Sequence, residues 1–170
     1  MNILFYVSAV VAILSTAMVI TRLNAVHALL NMIVSLMAVA LVFFSLGAPF
    51  VAALEVIVYA GAIMVLFIFV IMMMNQGPHA VEQEALLLTP GAWVVPSALS
   101  LVMMGEVFFV ITSKTVRFGE SGVVAPVRVG LALFGPYLLA VELASILLLA
   151  GLVAAYHLGR REETEAEAPR

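Results

Sequence analysis

Long apolar runs, almost free of charge, are the feature that most limits what this chain can fold into. Through residue 81 the sequence carries only two charged side chains, Arg22 and Glu55. Over all 170 residues, 65% are hydrophobic and 10% are charged, whereas soluble domains are about one-quarter charged. The sequence therefore predicts an integral membrane protein rather than a soluble domain.

Five of these runs are long enough to cross a hydrocarbon core of ~30 Å as helices, which takes about 20 residues each. They lie near residues 2–21, 26–47, 50–74, 91–112 and 131–157. We predict an all-α, polytopic membrane protein in which residues 1–157 form one five-helix domain. Pro136 is expected to mark a start or a kink of the fifth helix. The charged segment 158–170 is predicted to be a disordered tail.

Several kinds of chemistry lack the residues they need. The chain has no cysteine, which excludes thiolate catalysis and Cys-ligated iron–sulfur clusters. No two of the histidines His27, His79 and His157 are spaced as metal or haem ligands. No basic stripe for nucleic acid is present. The seven lysines and arginines divide almost evenly between the two sides of the predicted bundle, so the positive-inside rule leaves the orientation open.

Three carboxylates lie inside predicted spans, where a charge at mid-bilayer costs about 2.5–3.5 kcal/mol on insertion scales. Glu55 and Glu106 both lie ~8–9 Å deep, on the side where the chain begins, at ~1.5 Å per residue. At that depth each side chain can reach interfacial water, so an interfacial and a paired role stay open for both. Glu142 is expected to face protein or a hydrated cavity.

The third helix has the most informative pattern, "LEVIVYAGAIMVLFIFVIMMMN". Glu55 and Tyr59 are four residues apart, so they share a helix face and can form either a proton relay or a structural hydrogen bond. Gly61 allows either a close helix crossing or an i→i+5 turn, and composition alone favours the crossing. On the second helix, one polar face is predicted to form interhelical hydrogen bonds. Its members are Asn24, His27, Asn31 and Ser35.

The pattern E-x-x-x-Y-x-G-A-x-x-V-L-F-x-F-V resembles the third helix of one membrane-subunit family of NADH–quinone oxidoreductase, respiratory complex I. That family comprises subunit J of bacteria and its mitochondrially encoded counterpart, chain six. The five-helix layout and "RLNAVHALLN" agree with it, less specifically. The matching positions are Glu55, Tyr59, Gly61, Ala62, Val65, Leu66 and Phe67.

The resemblance implies a subunit without a cofactor, in the membrane arm of a proton-pumping enzyme of the bacterial inner membrane. NADH, FMN, iron–sulfur clusters and quinone are then expected in other subunits. Chains K, A, H and N and the lipid bilayer are the expected neighbours. The N-terminus is expected outside and the C-terminus in the cytoplasm. The resemblance also implies a π-bulge that gates a water path, at Tyr59, Ala60, Gly61, Ala62, Ile63, Met64 and Val65.

We predict a gating role for that bulge, with Glu55, Tyr59 and Glu142 as a candidate proton path. No residue of this chain is predicted to catalyse a redox step; the enzyme activity belongs to the complex. Two alternatives stay open at this stage. One is a purely structural subunit of the same complex, and the other is a subunit of a related cation/proton antiporter or membrane hydrogenase.

Overall fold

A computed structural model describes residues 3–22, 25–73, 90–112 and 122–159, and these are almost entirely helical. The helices are α1 Ile3–Thr21, α2 Ala25–Ser45, α3 Pro49–Met73, α4 Pro90–Thr112, α5 Pro126–Leu133 and α6 Leu138–Gly159. Within these ranges no strand occurs, and all helices except α5 are long and apolar enough to cross a membrane. The predicted all-α fold with five spans is confirmed. Most of the predicted tail, residues 160–170, lies outside the described residues.

A tight turn joins α2 to α3. Gly47 has φ 83°, a left-handed conformation that an L-residue with a Cβ rarely adopts. The N–H groups of Gly47 and Ala48 donate to the carbonyls of Phe44 and Phe43, which satisfies groups left open at the end of α2. Pro49 then starts α3, where its missing N–H removes no helical hydrogen bond. The sequence "LGAP" therefore makes the two helices sequential neighbours.

The core of the first four spans lies between α1, α2 and α4. It is a small apolar cluster of Val11, Val34, Ala38 and Met103. The helix α3 packs on α2, mainly through Ala52 and Met64, which are its only fully buried residues. With so few buried side chains on α3, most of its surface is not covered by the described part of this chain.

The polar face of α2 lies in the interior. His27, Asn31 and Ser35 are all buried, while Asn24 lies outside the described residues. The Ser35 hydroxyl lies 2.7 Å from the Thr16 hydroxyl, and it donates to the carbonyl of Ala12 over 3.2 Å. These contacts join α1 to α2, so the predicted interhelical bonding by this face is confirmed at Ser35.

The chain divides into two compact units, residues 1–125 and 126–170, and α5 and α6 form the second. The predicted fifth helix, 131–157, is interrupted there. A turn at residues 134–137 ends α5, and α6 begins at Leu138. Pro136 explains the break, because its ring cannot donate a backbone hydrogen bond and clashes with the preceding helical turn. A single domain over residues 1–157 stays a prediction.

Candidate functional site in the third helix

The helix α3 changes its hydrogen-bond register along its length. Pro49–Leu54 is α-helical, Glu55–Ile63 is a π-helix, and Met64–Met73 is α-helical again. At the end of the π segment the backbone N–H of Met64 donates to the carbonyls of Tyr59 and Gly61. The bond to Tyr59 spans five residues, as a π turn requires. The predicted π geometry in the third helix is confirmed.

The π segment is displaced towards the N-terminus relative to the predicted gating residues. Tyr59 to Ile63 lie inside it, but it starts four residues earlier, at Glu55. Met64 and Val65 lie in the α-helical turn that follows. The segment ends at Ile63 because the bond from the Met64 N–H to the Tyr59 carbonyl closes the last five-residue turn. The regular α register resumes after it. The gating role of these residues stays a prediction.

Gly61 allows the wide register through a close approach of the backbone. A Cβ placed on Gly61 would lie 3.2 Å from the carbonyl oxygen of Val56, five residues earlier in the chain. That distance is shorter than an ordinary van der Waals contact between carbon and oxygen. In an α-helix the Val56 carbonyl would instead accept from residue 60. From composition alone we expected Gly61 to lie at a crossing of two helices. In the structure its close contact is with the backbone of its own helix, at Val56.

The rest of the chain covers the C-terminal end of the π segment more than its middle. The Met64 side chain is 2% exposed and packs where α3 meets α2. Tyr59 is 51% exposed, and no residue from Glu55 to Ile63 is fully buried. The chain therefore fixes the C-terminal end of the segment and leaves the ring of Tyr59 open to its surroundings.

The candidate proton path is only partly assembled by this chain. Glu55 is half-buried at the start of the π segment, and no hydrogen bond joins it to Tyr59 among the described residues. Glu142 is exposed on α6, in the second unit, and its carbonyl accepts from the Ser145 hydroxyl over 2.7 Å. The path stays a prediction.

One polar contact was not predicted from the sequence. The fully buried Ser8 hydroxyl donates to a carboxylate oxygen of Glu106 over 3.0 Å, which joins α1 to α4. The signal was present in the sequence, because both residues lie about five or six residues from the same side of the membrane. Pairing Ser8 with Glu106 required knowing that α1 and α4 are neighbours, and apolar periodicity does not specify neighbours.

The described part of the chain has no cluster of metal-ligating side chains. The described ranges hold no group of three or more His, Asp or Glu side chains placed to bind a metal ion. What α3 offers instead is a backbone in an uncommon register, beside an exposed phenol and a half-buried carboxylate. π-Helices are rare and are often found at functional sites.

The fold and this segment define a class: a multi-pass α-helical membrane protein with a π-helix inside one span. Residues 15–158 match the sequence profile of the family described as NADH-ubiquinone/plastoquinone oxidoreductase chain 6. The chain belongs to that family.

Its similar relatives are each named NADH-quinone oxidoreductase subunit J. The protein from Pseudomonas aeruginosa is 60% identical over 164 residues, covering 95% of this chain and 98% of its own. The protein from Escherichia coli K12 is 52% identical over 162 residues, covering 95% and 88%. A protein from Buchnera aphidicola of Schizaphis graminum is 45% identical, covering 96% and 100%.

Proposed function

We propose that the chain is a membrane-arm subunit of a proton-pumping NADH–quinone oxidoreductase in the bacterial plasma membrane. The family match and the three relatives support this, because they extend over nearly the whole chain. NADH, FMN, iron–sulfur clusters and quinone would then be bound by other subunits, with chains K, A, H and N as neighbours. The N-terminus faces outwards and the C-terminus faces the cytoplasm in this proposal.

Within that complex, we propose that the π segment of α3 gates hydration and proton movement past Tyr59. The observation that carries the proposal is the nine-residue π-helix Glu55–Ile63 in the middle of a membrane span. π-Helices are rare, are usually a single turn, and are often found at functional sites. A regular α-helix is sufficient to cross a bilayer, so the π-helix points to a role beyond spanning the membrane.

In this proposal the segment has two registers, which differ in the residue that packs where Met64 is now buried. Converting one π turn to α geometry removes one residue from the turn and rotates the following helix by about 100°. Ile63 would then occupy the place on α2 where Met64 is now buried. Ile and Met are both large and apolar, and exchanges of this kind in cores usually cost less than about 1.5 kcal/mol. Two registers of similar energy are what a gate requires, because a ligand or redox event shifts only equilibria with small gaps.

The proposal is tested with Gly61→Leu in the whole complex. We expect the complex to assemble but NADH–quinone turnover and proton pumping to fall, because a branched side chain cannot share the space near the Val56 carbonyl. Gly105→Leu is the matched control, since a Cβ on Gly105 meets no atom within 4 Å. Normal turnover and pumping in Gly61→Leu would refute the gate.

A purely structural subunit predicts a different set of results. In that case Tyr59→Phe and Glu55→Gln leave pumping intact, while bulky changes at Gly61 or Ala144 dissociate the complex. Native gel electrophoresis of each variant separates loss of assembly from loss of activity. A complex that assembles fully but pumps fewer protons per NADH supports gating and excludes the structural reading.

A further inference from the structure

The bundle of α1, α2 and α4 contains buried polar atoms that lie away from the π segment. On the side where the chain begins, the Ser8 hydroxyl donates to Glu106. The other carboxylate oxygen of Glu106, Oε1, is inaccessible to solvent and has no partner among the described residues. We call this pair the Ser8–Glu106 site. A buried carboxylate oxygen without a partner is unfavourable by several kcal/mol in an apolar medium, so a bound water is the simplest donor.

A second site lies towards the opposite side of the membrane. Ser15 and Asn31 are both fully buried, at 0% exposure, and Ser15 Oγ and Asn31 Oδ1 have no hydrogen-bond partner among the described residues. Ser35 donates to the carbonyl of Ala12 across the α1–α2 interface. Ser15 lies one turn beyond Ala12, and Asn31 lies one turn before Ser35, so in antiparallel helices they reach the same level. We call this pair the Ser15–Asn31 site.

A mainly apolar layer separates the two sites; the buried Ser35 hydroxyl lies at its level and donates to the Ala12 carbonyl. Each of its larger members is one helical turn from a polar residue: Val11 follows Ser8, Val34 follows Asn31, and Met103 precedes Glu106. We call this layer the midplane seal, and it consists of Val11, Val34, Ala38 and Met103. All four side chains are 9% exposed or less.

The dimensions place this seal at the centre of the bilayer. Ser8 and Ser15 are seven residues apart on α1, a rise of about 10 Å. Ser8 lies five residues from the start of α1, and Ser15 lies six from its end, so each site is about 8–9 Å from its own membrane surface. The three distances add to roughly the ~30 Å of a hydrocarbon core.

We propose that α1, α2 and α4 hold two buried hydration sites that open towards opposite membrane surfaces, and that the midplane seal keeps their water apart. The ligand at each site is water, bound to Glu106 Oε1 on one side and between Ser15 Oγ and Asn31 Oδ1 on the other. Hydrophobic constrictions of this kind stop conduction by excluding water. The function of the seal is to insulate a polar bundle against proton leakage beside an active pump. The inference does not depend on gating by α3.

The test measures passive proton leakage, without NADH, in liposomes containing the purified whole complex. A potassium diffusion potential drives protons inward, and an enclosed pH-sensitive dye reports the flux. Met103→Gln keeps the side-chain length but puts an amide into the seal, so we expect the flux to rise severalfold. Met104→Gln is the matched control, because that neighbouring side chain is 64% exposed. Met103→Leu controls for altered packing and is expected to stay tight.

Two outcomes overturn the proposal. One is a Met103→Gln complex as proton-tight as the Met104→Gln complex; the other is equal leakage from Met103→Leu and Met103→Gln. If Met103→Gln fails to assemble, Ala38→Ser tests the same layer, with Ala17→Ser on the exposed side of α1 as control. A high-resolution map of the wild-type complex gives an independent readout. Ordered water at both sites with none in the seal supports the proposal, and a continuous line of water or two dry sites overturns it.

Discussion

Replacing Gly61 with alanine is the smallest change that separates the two registers of α3. The added methyl group would lie 3.2 Å from the Val56 carbonyl oxygen in the π register. Relief requires the carbonyl to move by a few tenths of an ångström. If that movement comes from twisting the peptide bond ~12° out of planarity, it costs about 1 kcal/mol. In the α register the Val56 carbonyl accepts from residue 60 instead, so this particular contact is absent.

The helix-forming advantage of alanine does not affect this comparison, because both registers are helical and gain from it alike. We therefore expect the contact with Val56 to be the main term that differs between the two registers. A shift of about 1 kcal/mol changes the ratio of π to α register about fivefold, since 1.4 kcal/mol is tenfold. Gly105→Ala adds the same methyl group to α4 without a close contact, so it is the matched control.

Electron cryomicroscopy of the whole complex, with particles classified by the register of residues 55–64, measures this ratio directly. The side chain facing α2 reports the state: Met64 in the π register and Ile63 in the α register. We expect Gly61→Ala to lose π particles in favour of α particles and Gly105→Ala to resemble the wild type. If Gly61→Ala retains the wild-type fraction of π particles, the contact with Val56 does not control the register and the reasoning is refuted.

Three further changes test other parts of the structure. Met64→Ala removes the buried side chain that holds the π register, at a cost of about 2–5 kcal/mol. The fraction of particles in the α register, measured by the same electron cryomicroscopy, should therefore rise. Leu66→Ala is the control, because Leu66 is 61% exposed, and should leave that fraction unchanged. Ser35→Ala breaks the α1–α2 hydrogen bonds and should lower the free energy of unfolding by about 0.6–2 kcal/mol. The complex should then melt at a lower temperature, and an unchanged melting curve would contradict this. Gly135→Ala places a methyl group 2.7 Å from the carbonyl one turn earlier and should reduce assembly on native gels, while Gly130→Ala, with open space around it, should assemble normally.

The sequence predicted the features that depend on local composition. Apolar runs of bilayer length identified the spans, and Pro136 marked the interruption before α6. The buried contact of Ser35 followed from its place on a polar face. Each of these depends on residues within one or two helical turns, which is the range over which a sequence can be read by spacing.

Features that depend on two helices meeting were harder to predict. The Ser8–Glu106 contact needs the arrangement of α1 and α4, which periodicity leaves open. Composition alone assigned Gly61 to helix crossing, because a lone glycine in an apolar span is compatible with both crossing and widening. The resemblance to a known family pointed to the π register, and the contact of Gly61 with Val56 supplies the physical reason. The full extent of the segment, beginning at Glu55, came only from the structure.

The tight turn at Gly47 and Pro49 gives the register of α3 a direction. Because φ at Gly47, the two backbone bonds after α2 and the ring of Pro49 hold the first turn of α3, that end cannot rotate to accommodate a change of register. A change of register would therefore rotate the other half, Met64–Met73, and would exchange Met64 for Ile63 in the packing against α2. Over those ten residues a turn of about 100° would move a whole face of exposed side chains from one neighbour to the next. A change of register at Gly61 would thus rotate the half of α3 that leads to the membrane surface opposite the turn at Gly47.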